Sequence, residues 1–382
     1  MAQENIKIDI QEIHATNGAK ITAIGVGGGG SNMIAHLMAT GAHKDITLIA
    51  ANTDIQHLDN SPARIKIKLG EKLTKGLGAG MQPEVGMQAA QESFENIKES
   101  LQGSDIVFVS AGLGGGTGTG AAPIIAAAAK ETGALTISIV TKPFKMEGNK
   151  RTKIAEEGLK ELKKNSDTIV VIPNEKLLST ISKNAGIKES FKEVDNILAK
   201  AVNGISGVIL NYGENDINVD FADLKTVMSH KGLALMGTGE AKGENAAAEA
   251  IKVAINSPLF DNLSINGAMG VLVNFEINPN YPLLEINEAM EFVAEAAHED
   301  AYIIFGTQTS EDIALDCVRI TIIATGFEKE IINDIQANVE PQVRPVRNMS
   351  LDAITISNAI SNGDYYNEID LDVPAIMRNQ KD

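Results

Sequence analysis

Unbroken apolar runs alternate with stretches of helical spacing along the first half of the chain. Residues 20–26 (KITAIGV), 46–51 (ITLIAA), 105–109 (DIVFV), 135–140 (LTISIV) and 168–172 (TIVVI) are predominantly apolar. That is the pattern of strands buried on both faces. Between them fall the amphipathic stretch 31–40 (SNMIAHLMAT), a segment opened by Pro83 and running to about residue 101, and an Ala-rich stretch after residue 120. Proline suits the first helical turn, where its missing N–H would have no partner in any case. Residues 64–69 (RIKIKL) alternate basic with apolar and predict a more exposed strand. Strands alternating with helices predict an α/β fold, with a mostly parallel sheet between two helical layers.

A long helical segment at about 189–211 separates this half from a second set of elements. Strands at 270–275 (GVLVNF) and 318–324 (VRITIIA) flank a helix at 284–298, an α+β layer of its own. After Gly326 the periodicity fades. The expected organisation is an extension 1–19, a first domain 20–188, a connecting helix and loop 189–217, and a second domain 218–326. A flexible linker 327–368 and a terminal segment 369–382 follow, the latter with an apolar cluster of Val373, Ile376 and Met377.

Composition narrows the function. The 382 residues carry a net charge of −17, which disfavours nucleic acid as a partner because that wants a basic face. The single cysteine, Cys317, excludes an internal disulfide and a Cys-rich zinc site. The start, MAQEN, has no basic-then-apolar leader, and no apolar run nears the ~20 residues needed to span a bilayer. A cytoplasmic protein without direct membrane insertion is expected. The six histidines show no metal-ligand spacing, so no protein-held metal is expected; His36 should lie on the flank of the first helix and Cys317 in the core.

Candidate chemistry concentrates in the 35 glycines. Gly25–Gly30 fits G-x-G-x-x-G between a strand and a helix, where backbone N–H groups and the helix dipole favour phosphate. A tight turn without ligand gives the same pattern. A dinucleotide fold would want an acid after the next strand, and Asn52 and Asp54 stand there. Residues 112–120 (GLGGGTGTG) hold six glycines in nine positions, each of which costs up to about 1 kcal/mol of chain entropy. A flexible linker would not sit between a buried strand and a helix, so an anion nest is the better reading. No Walker-type lysine motif occurs. A third loop, Gly76–Gly80, suggests one polyphosphate held by several strand ends.

The GGGTGTG at 114–120, with GVGGGGSN at 25–32, NTD at 52–54, GLGAG at 76–80, TKPFKMEGNKR at 141–151, IPN at 172–174 and NVDFADL at 218–224, resembles the tubulin/FtsZ GTPase family. The resemblance covers about residues 20–325, in the family's order. It implies a Rossmann-like GTP-binding domain, a central connecting helix and a second α+β domain. It also implies GTP/GDP binding, with Mg²⁺ bound through the nucleotide. Gly28, Gly29, Gly30, Ser31 and Asn32, with Gly114, Gly115, Gly116, Thr117, Gly118 and Thr119, would hold the phosphates; Asn52 and Asp54 join the nucleotide-binding set. Glu147 and Arg151 would contact the ribose and phosphate end. Asn174 and Asp195 would read guanine, with Phe191 stacked on it. A carboxylate accepts from both guanine N1–H and the 2-amino group, a donor pair adenine lacks. On spacing alone, Glu147 and Arg151 are an exposed i, i+4 pair worth ~0.2–0.5 kcal/mol.

The resemblance further implies head-to-tail protofilaments and a cytokinetic ring at the mid-cell division site. Asn218, Asp220 and Asp223 would enter the nucleotide site of the next subunit and position the attacking water. Without the resemblance, two acids at a helix start are caps. The terminal LDVPAIMR resembles the family's partner-binding peptide, so Asp372, Val373, Pro374, Ile376, Met377 and Arg378 would take membrane-anchor and regulatory division proteins. Ser31 and Met81 depart from the usual pattern. Two other readings stand beside this one. A nicotinamide-dependent oxidoreductase would use the first glycine motif, and a non-hydrolysing scaffold would bind GTP without turnover.

Overall fold

The computed structural model describes residues 18–179, 181, 185–210, 216–230, 232–260 and 265–327. These belong to one compact unit. The linker after Phe327, the terminal segment with Asp372, Val373, Pro374, Ile376, Met377 and Arg378, and most of the extension 1–19 lie outside the described residues. No described helix is long and apolar enough to cross a membrane.

Ten described strands form one sheet: β1 Ile21–Val26, β2 Ile46–Asn52, β3 Ile65–Lys68, β4 Ile106–Gly112, β5 Leu135–Lys142, β6 Thr168–Pro173, β7 Gly232–Lys242, β8 Gly270–Ile277, β9 Tyr302–Thr309 and β10 Cys317–Thr325. Their order is β3-β2-β1-β4-β5-β6-β7-β10-β8-β9. The first seven in that order are parallel, β10 runs antiparallel to both its neighbours, and β9 is parallel to β8. β7 joins the two parts: Gly232–Ala234 pair with β6, and Leu235–Lys242 pair with β10.

The unbroken apolar runs are explained by burial on both faces. In β4, Ile106 and Phe108 face the layer of the first helix (Gly27–Thr40) and the central helix (Ile187–Leu210). Val107, Val109 and Ala111 face the helices Pro83–Glu92, Phe94–Leu101, Thr117–Glu131 and Asn149–Asn165. The second half packs the same way. Leu272 and Ile323 meet the central helix, while Val271, Val273, Ile320 and Ile322 meet the helices Ala246–Ile255 and Leu283–Ala296. A Cβ on Gly204 of the central helix would lie 2.8 Å from Thr321 Cγ2, so glycine there lets helix and sheet approach closely.

Four features depart from the sequence pattern. The helix expected from Pro83 to about 101 breaks at Ser93, whose hydroxyl accepts from Gly70 N–H at 3.1 Å and donates to Lys68 O at 3.4 Å. Strands β7 and β9 and the helix Ala246–Ile255 have no counterpart in the sequence reading; glycines and polar residues interrupt both strands. Cys317 opens β10 and is buried, as expected. His36 is half-buried, its Nε2 3.5 Å from Asn196 Oδ1 on the central helix.

Candidate functional site

Chain order reverses between β1 and β4. The connection leaving β1 folds onto one face of the sheet and that leaving β4 onto the other, so a crevice opens at their C-terminal ends. Both glycine loops lie there. A cleft of about 450 Å³ is lined by Gly28, Gly29 and Asn32 from the first helix and by Gly112, Gly115, Gly116, Thr117 and Gly118 from the second loop. Its far wall carries Glu147, Arg151, Asn174, Phe191 and Asp195. Twelve of the predicted nucleotide-binding residues therefore meet around one cavity.

The glycines divide into two kinds. A Cβ on Gly118 would fall onto the Gly112 carbonyl, one on Gly30 onto the Ser110 carbonyl, and one on Gly120 onto the Pro83 carbonyl. Gly114 has φ +99, a left-handed backbone that side chains disfavour. Packing alone requires these four. Around Gly115, by contrast, nothing lies within 4 Å of a Cβ, and at Gly28 only His57 Cε1 approaches, at 3.9 Å. The protein's own packing does not ask for glycine at these two cleft positions. A ligand pressed against bare backbone would.

The opposite end combines an aromatic ring with buried polar groups. Phe191 stands on the first turns of the central helix, edge-on to buried Phe144 with centroids 5.5 Å apart. Phe144 N–H donates to Glu147 Oε1 at 2.9 Å, and the other Glu147 oxygen pairs with Arg151. This i, i+4 pair is part of the cleft wall rather than a solvated face. Phe191, Val194, Asp195 and Leu198 form one stripe facing the cavity. Burial pushes the Asp195 carboxyl up to about 7. Asn174 is 5% exposed, and its Oδ1 has no hydrogen-bond partner. Ser31 Oγ and Ser110 Oγ, buried beside the first glycine loop, are also unpartnered. A buried acceptor left unpaired costs about 1–3 kcal/mol, and of these groups Asn174 lines the cleft, where a polar ligand is the expected complement.

The remaining predicted residues stand outside the wall. Gly30, Ser31, Gly114 and Thr119 lie behind it; Thr119 Oγ1 accepts from Gly114 N–H at 2.9 Å and so shapes the loop. Asn52 is buried, and its Oδ1 accepts from Asp54 N–H at 3.3 Å. Asp54 caps the short helix Ile55–Asp59, accepting from His57 N–H at 3.2 Å. The third glycine loop buttresses the second: a Cβ on Gly116 would lie 2.9 Å from Ala79 Cβ. Met81 beside it has φ +58. Thr141 and Pro143, from the motif at 141–151, line the cleft without having been given a role from sequence, and Val194 and Leu198 line it without having been singled out at all. The only signal for the two apolar helix residues was their spacing around Asp195, which reads equally as core.

Asn218, Asp220 and Asp223 do not line this cavity. Asp220 holds the N-cap position of the helix Phe221–Met228, yet its side chain makes no capping bond. Asp223 Oδ1 accepts from the Tyr302 hydroxyl at 3.2 Å, and this charge raises the phenol's pKa. Asn218 and Asp220 are exposed. Among the described residues no group of three or more His, Cys, Asp or Glu side chains is arranged to hold a metal ion.

Comparison with known proteins finds similarity along most of the chain. The family description "Tubulin/FtsZ family, GTPase domain" matches residues 20–182, and "FtsZ family, C-terminal domain" matches residues 232–328. The chain is 51% identical to the "Cell division protein FtsZ" of Helicobacter pylori strain J99 over 375 residues, 96% of this chain and 94% of that protein. It is 52% identical to the protein of the same name from H. pylori strain 26695 over 371 residues, with the same coverage. Among solved structures, an empty FtsZ dimer of M. jannaschii superposes with a TM-score of 0.77 at 45% identity, covering 82% of this chain and 89% of that one. The GTPγS-bound CetZ2 protofilament of Haloferax volcanii, at 20% identity, shares the fold with a TM-score of 0.68, covering 84% and 97%. These findings give no support to the oxidoreductase reading.

Proposed function

We propose, from the premise that this chain belongs to the tubulin/FtsZ family of GTPases, that it assembles head to tail and hydrolyses GTP between subunits. The observation that carries this reading is the separation of the cleft from the acids. The cleft lies at the C-terminal ends of β1, β4, β5 and β6. The helix Phe221–Met228 is held at the opposite edge: the hydroxyl of Thr168, which opens β6, donates to Met228 O, and Tyr302, which opens β9, donates to Asp223. Val219 N–H donates to Val208 O at 3.3 Å, thirteen residues along the central helix from Asp195. At 1.5 Å per residue that is about 20 Å. One molecule thus carries the two halves of a site at opposite ends, and a head-to-tail contact with a second copy unites them. Such contacts do not close on themselves and build filaments.

The nucleotide's guanine would accept the Asp195 carboxylate as partner for N1–H and the 2-amino group, with Asn174 beside it and Phe191 against the ring. Amides of Gly28, Gly29 and Gly115–Gly118 would take the phosphates, with Arg151 at the ribose side. Mg²⁺ carried by the polyphosphate would neutralise charge. Asn218, Asp220 and Asp223 from the next subunit would hold the water in line with the γ-phosphate, since phosphoryl transfer needs positioning and charge stabilisation above all. We also read the chain as a component of the mid-cell division ring, tethered through its terminal segment 369–382 to membrane-anchoring and regulatory division proteins. The resemblance of LDVPAIMR to the family's partner-binding peptide and the similarity to cell division proteins support this. The division into domains at 188, 217 and 326 stands as part of the same proposal.

Asp223→Ala tests the shared site. The variant should keep its GDP affinity and sediment as polymer with GTP, yet release phosphate about a hundredfold more slowly. Turnover at the parental rate in assembled Asp223→Ala would refute the role. Assembly by the parent without any phosphate release would favour the scaffold reading instead.

A further inference from the structure

The wall that would receive the phosphates is poor in positive charge. Its ionisable groups are Glu147, Arg151 and Asp195, and the one cation already pairs with Glu147. A polyphosphate with several negative charges therefore meets backbone amides and little else from the cleft wall itself. One imidazole stands at its rim. His57 is half-buried, and Cε1, the carbon between its ring nitrogens, is 3.9 Å from where a Cβ on Gly28 would lie. Gly28 is exposed and forms part of the cleft wall. Among the described residues neither ring nitrogen of His57 has a hydrogen-bond or ion-pair partner.

The ring is presented from an anchored element. Asp54 caps the short helix Ile55–Asp59 through the backbone N–H of His57 itself. Ile55 N–H donates to Gly76 O at 3.1 Å, and Leu58 is buried in the core below. One residue before the cap, the Thr53 hydroxyl lies 2.7 Å from the hydroxyl of Thr117, itself a cleft residue. The segment 53–57 thus clamps the second glycine loop with its threonine and sets its imidazole beside the first. An imidazole presented this way has the chemistry of an N–H donor to phosphate oxygen, and the backbone that carries it is anchored before ligand arrives.

We propose that His57 is a further phosphate-binding residue, donating a ring N–H to the nucleotide's phosphate chain at the Gly28 edge. This rests on the reading of that edge as the phosphate end of a GTP site. Its consequence is a contribution to nucleotide affinity that comes from β2's connection rather than from either glycine loop.

The test compares full-length parent, His57→Ala and His57→Gln for GDP affinity, for the unfolding midpoint without nucleotide, and, in the parent, for the ¹⁵N shifts of the His57 ring on GDP addition. His57→Ala should bind GDP about tenfold more weakly with an unchanged midpoint, the loss expected of a charge-assisted hydrogen bond. His57→Gln, which keeps a donor, should recover most of the affinity, and the ring nitrogens should shift on binding. An affinity within twofold of the parent in His57→Ala, or equal losses in both variants with a lowered midpoint, would overturn the proposal. Failure of the parent itself to bind GDP would instead overturn the reading of the site.

Discussion

Lowering the pH from about 8 to about 5.5 should weaken GDP binding through Asp195, and the size of the effect follows from its burial. The nucleotide-free carboxyl titrates near 7 because desolvation disfavours its charge. Guanine offers it two donors, so the complex needs the ionised form, and below about pH 7 binding must release a proton. The ionised fraction is about 0.9 at pH 8 and about 0.03 at pH 5.5, so affinity should fall about thirtyfold, or about 2 kcal/mol. Above about pH 8 the curve should be flat. The stability of the nucleotide-free protein carries the opposite sign. Its raised pKa favours the protonated folded form, so this contribution is complete below about pH 4 and disappears as pH rises through about 7. Because the diphosphate also titrates, calorimetry on Asp195→Asn supplies the baseline. The ratio of variant to parent dissociation constants should shrink about thirtyfold over this range. A ratio independent of pH would refute the assignment of Asp195 to guanine.

Other substitutions separate ligand chemistry from packing. Gly118→Ala places a Cβ against the Gly112 carbonyl and should cost about 2–3 kcal/mol in denaturant unfolding, whereas Gly115→Ala should leave stability within about 1 kcal/mol and lower GDP affinity at least about tenfold. Equal stability losses in the two would undo the distinction drawn between these glycines. Asn174→Ala removes an acceptor with no protein partner, so nucleotide-free stability should change by less than about 1 kcal/mol while GDP affinity falls about tenfold. Lost stability with unchanged affinity would make Asn174 structural.

The parallel sheet was legible because burial on both faces leaves β1, β4, β5 and β6 predominantly apolar, their polar residues being mostly small hydroxyl side chains such as Thr22, Ser110, Ser138 and Thr168. Strands β7 and β9 were not, since Gly237, Gly239 and Gly306 serve close helix packing and read as breaks. Glycine clustering pointed to the crevice at the switch point for a reason that the packing only partly shares. Gly114, Gly118 and Gly120 answer to the backbone they pack against, and only positions such as Gly28 and Gly115 speak for a ligand. Asp195 and Asn174 carried no local signal, because their meaning comes from desolvation and lost partners, which exist only after folding. Likewise, the capping reading of Asp220 was reasonable from spacing; its side chain makes no such bond, and the distance from the cleft could not be seen in sequence.

The most direct test of the shared site mixes two variants that fail for different reasons. Asp195→Asn should bind GTP poorly but retain its acids; Asp223→Ala should bind GTP but lack one of them. Phosphate release is measured for each alone and for equimolar mixtures at rising total concentration. A site built from two copies predicts that the mixture hydrolyses GTP well above the sum of the separate samples, with a steep dependence on concentration, because Asp223→Ala holds the nucleotide while its neighbour supplies the acid. A mixture whose rate equals that sum at every concentration, with copolymer confirmed by sedimentation, would contradict a site shared between subunits.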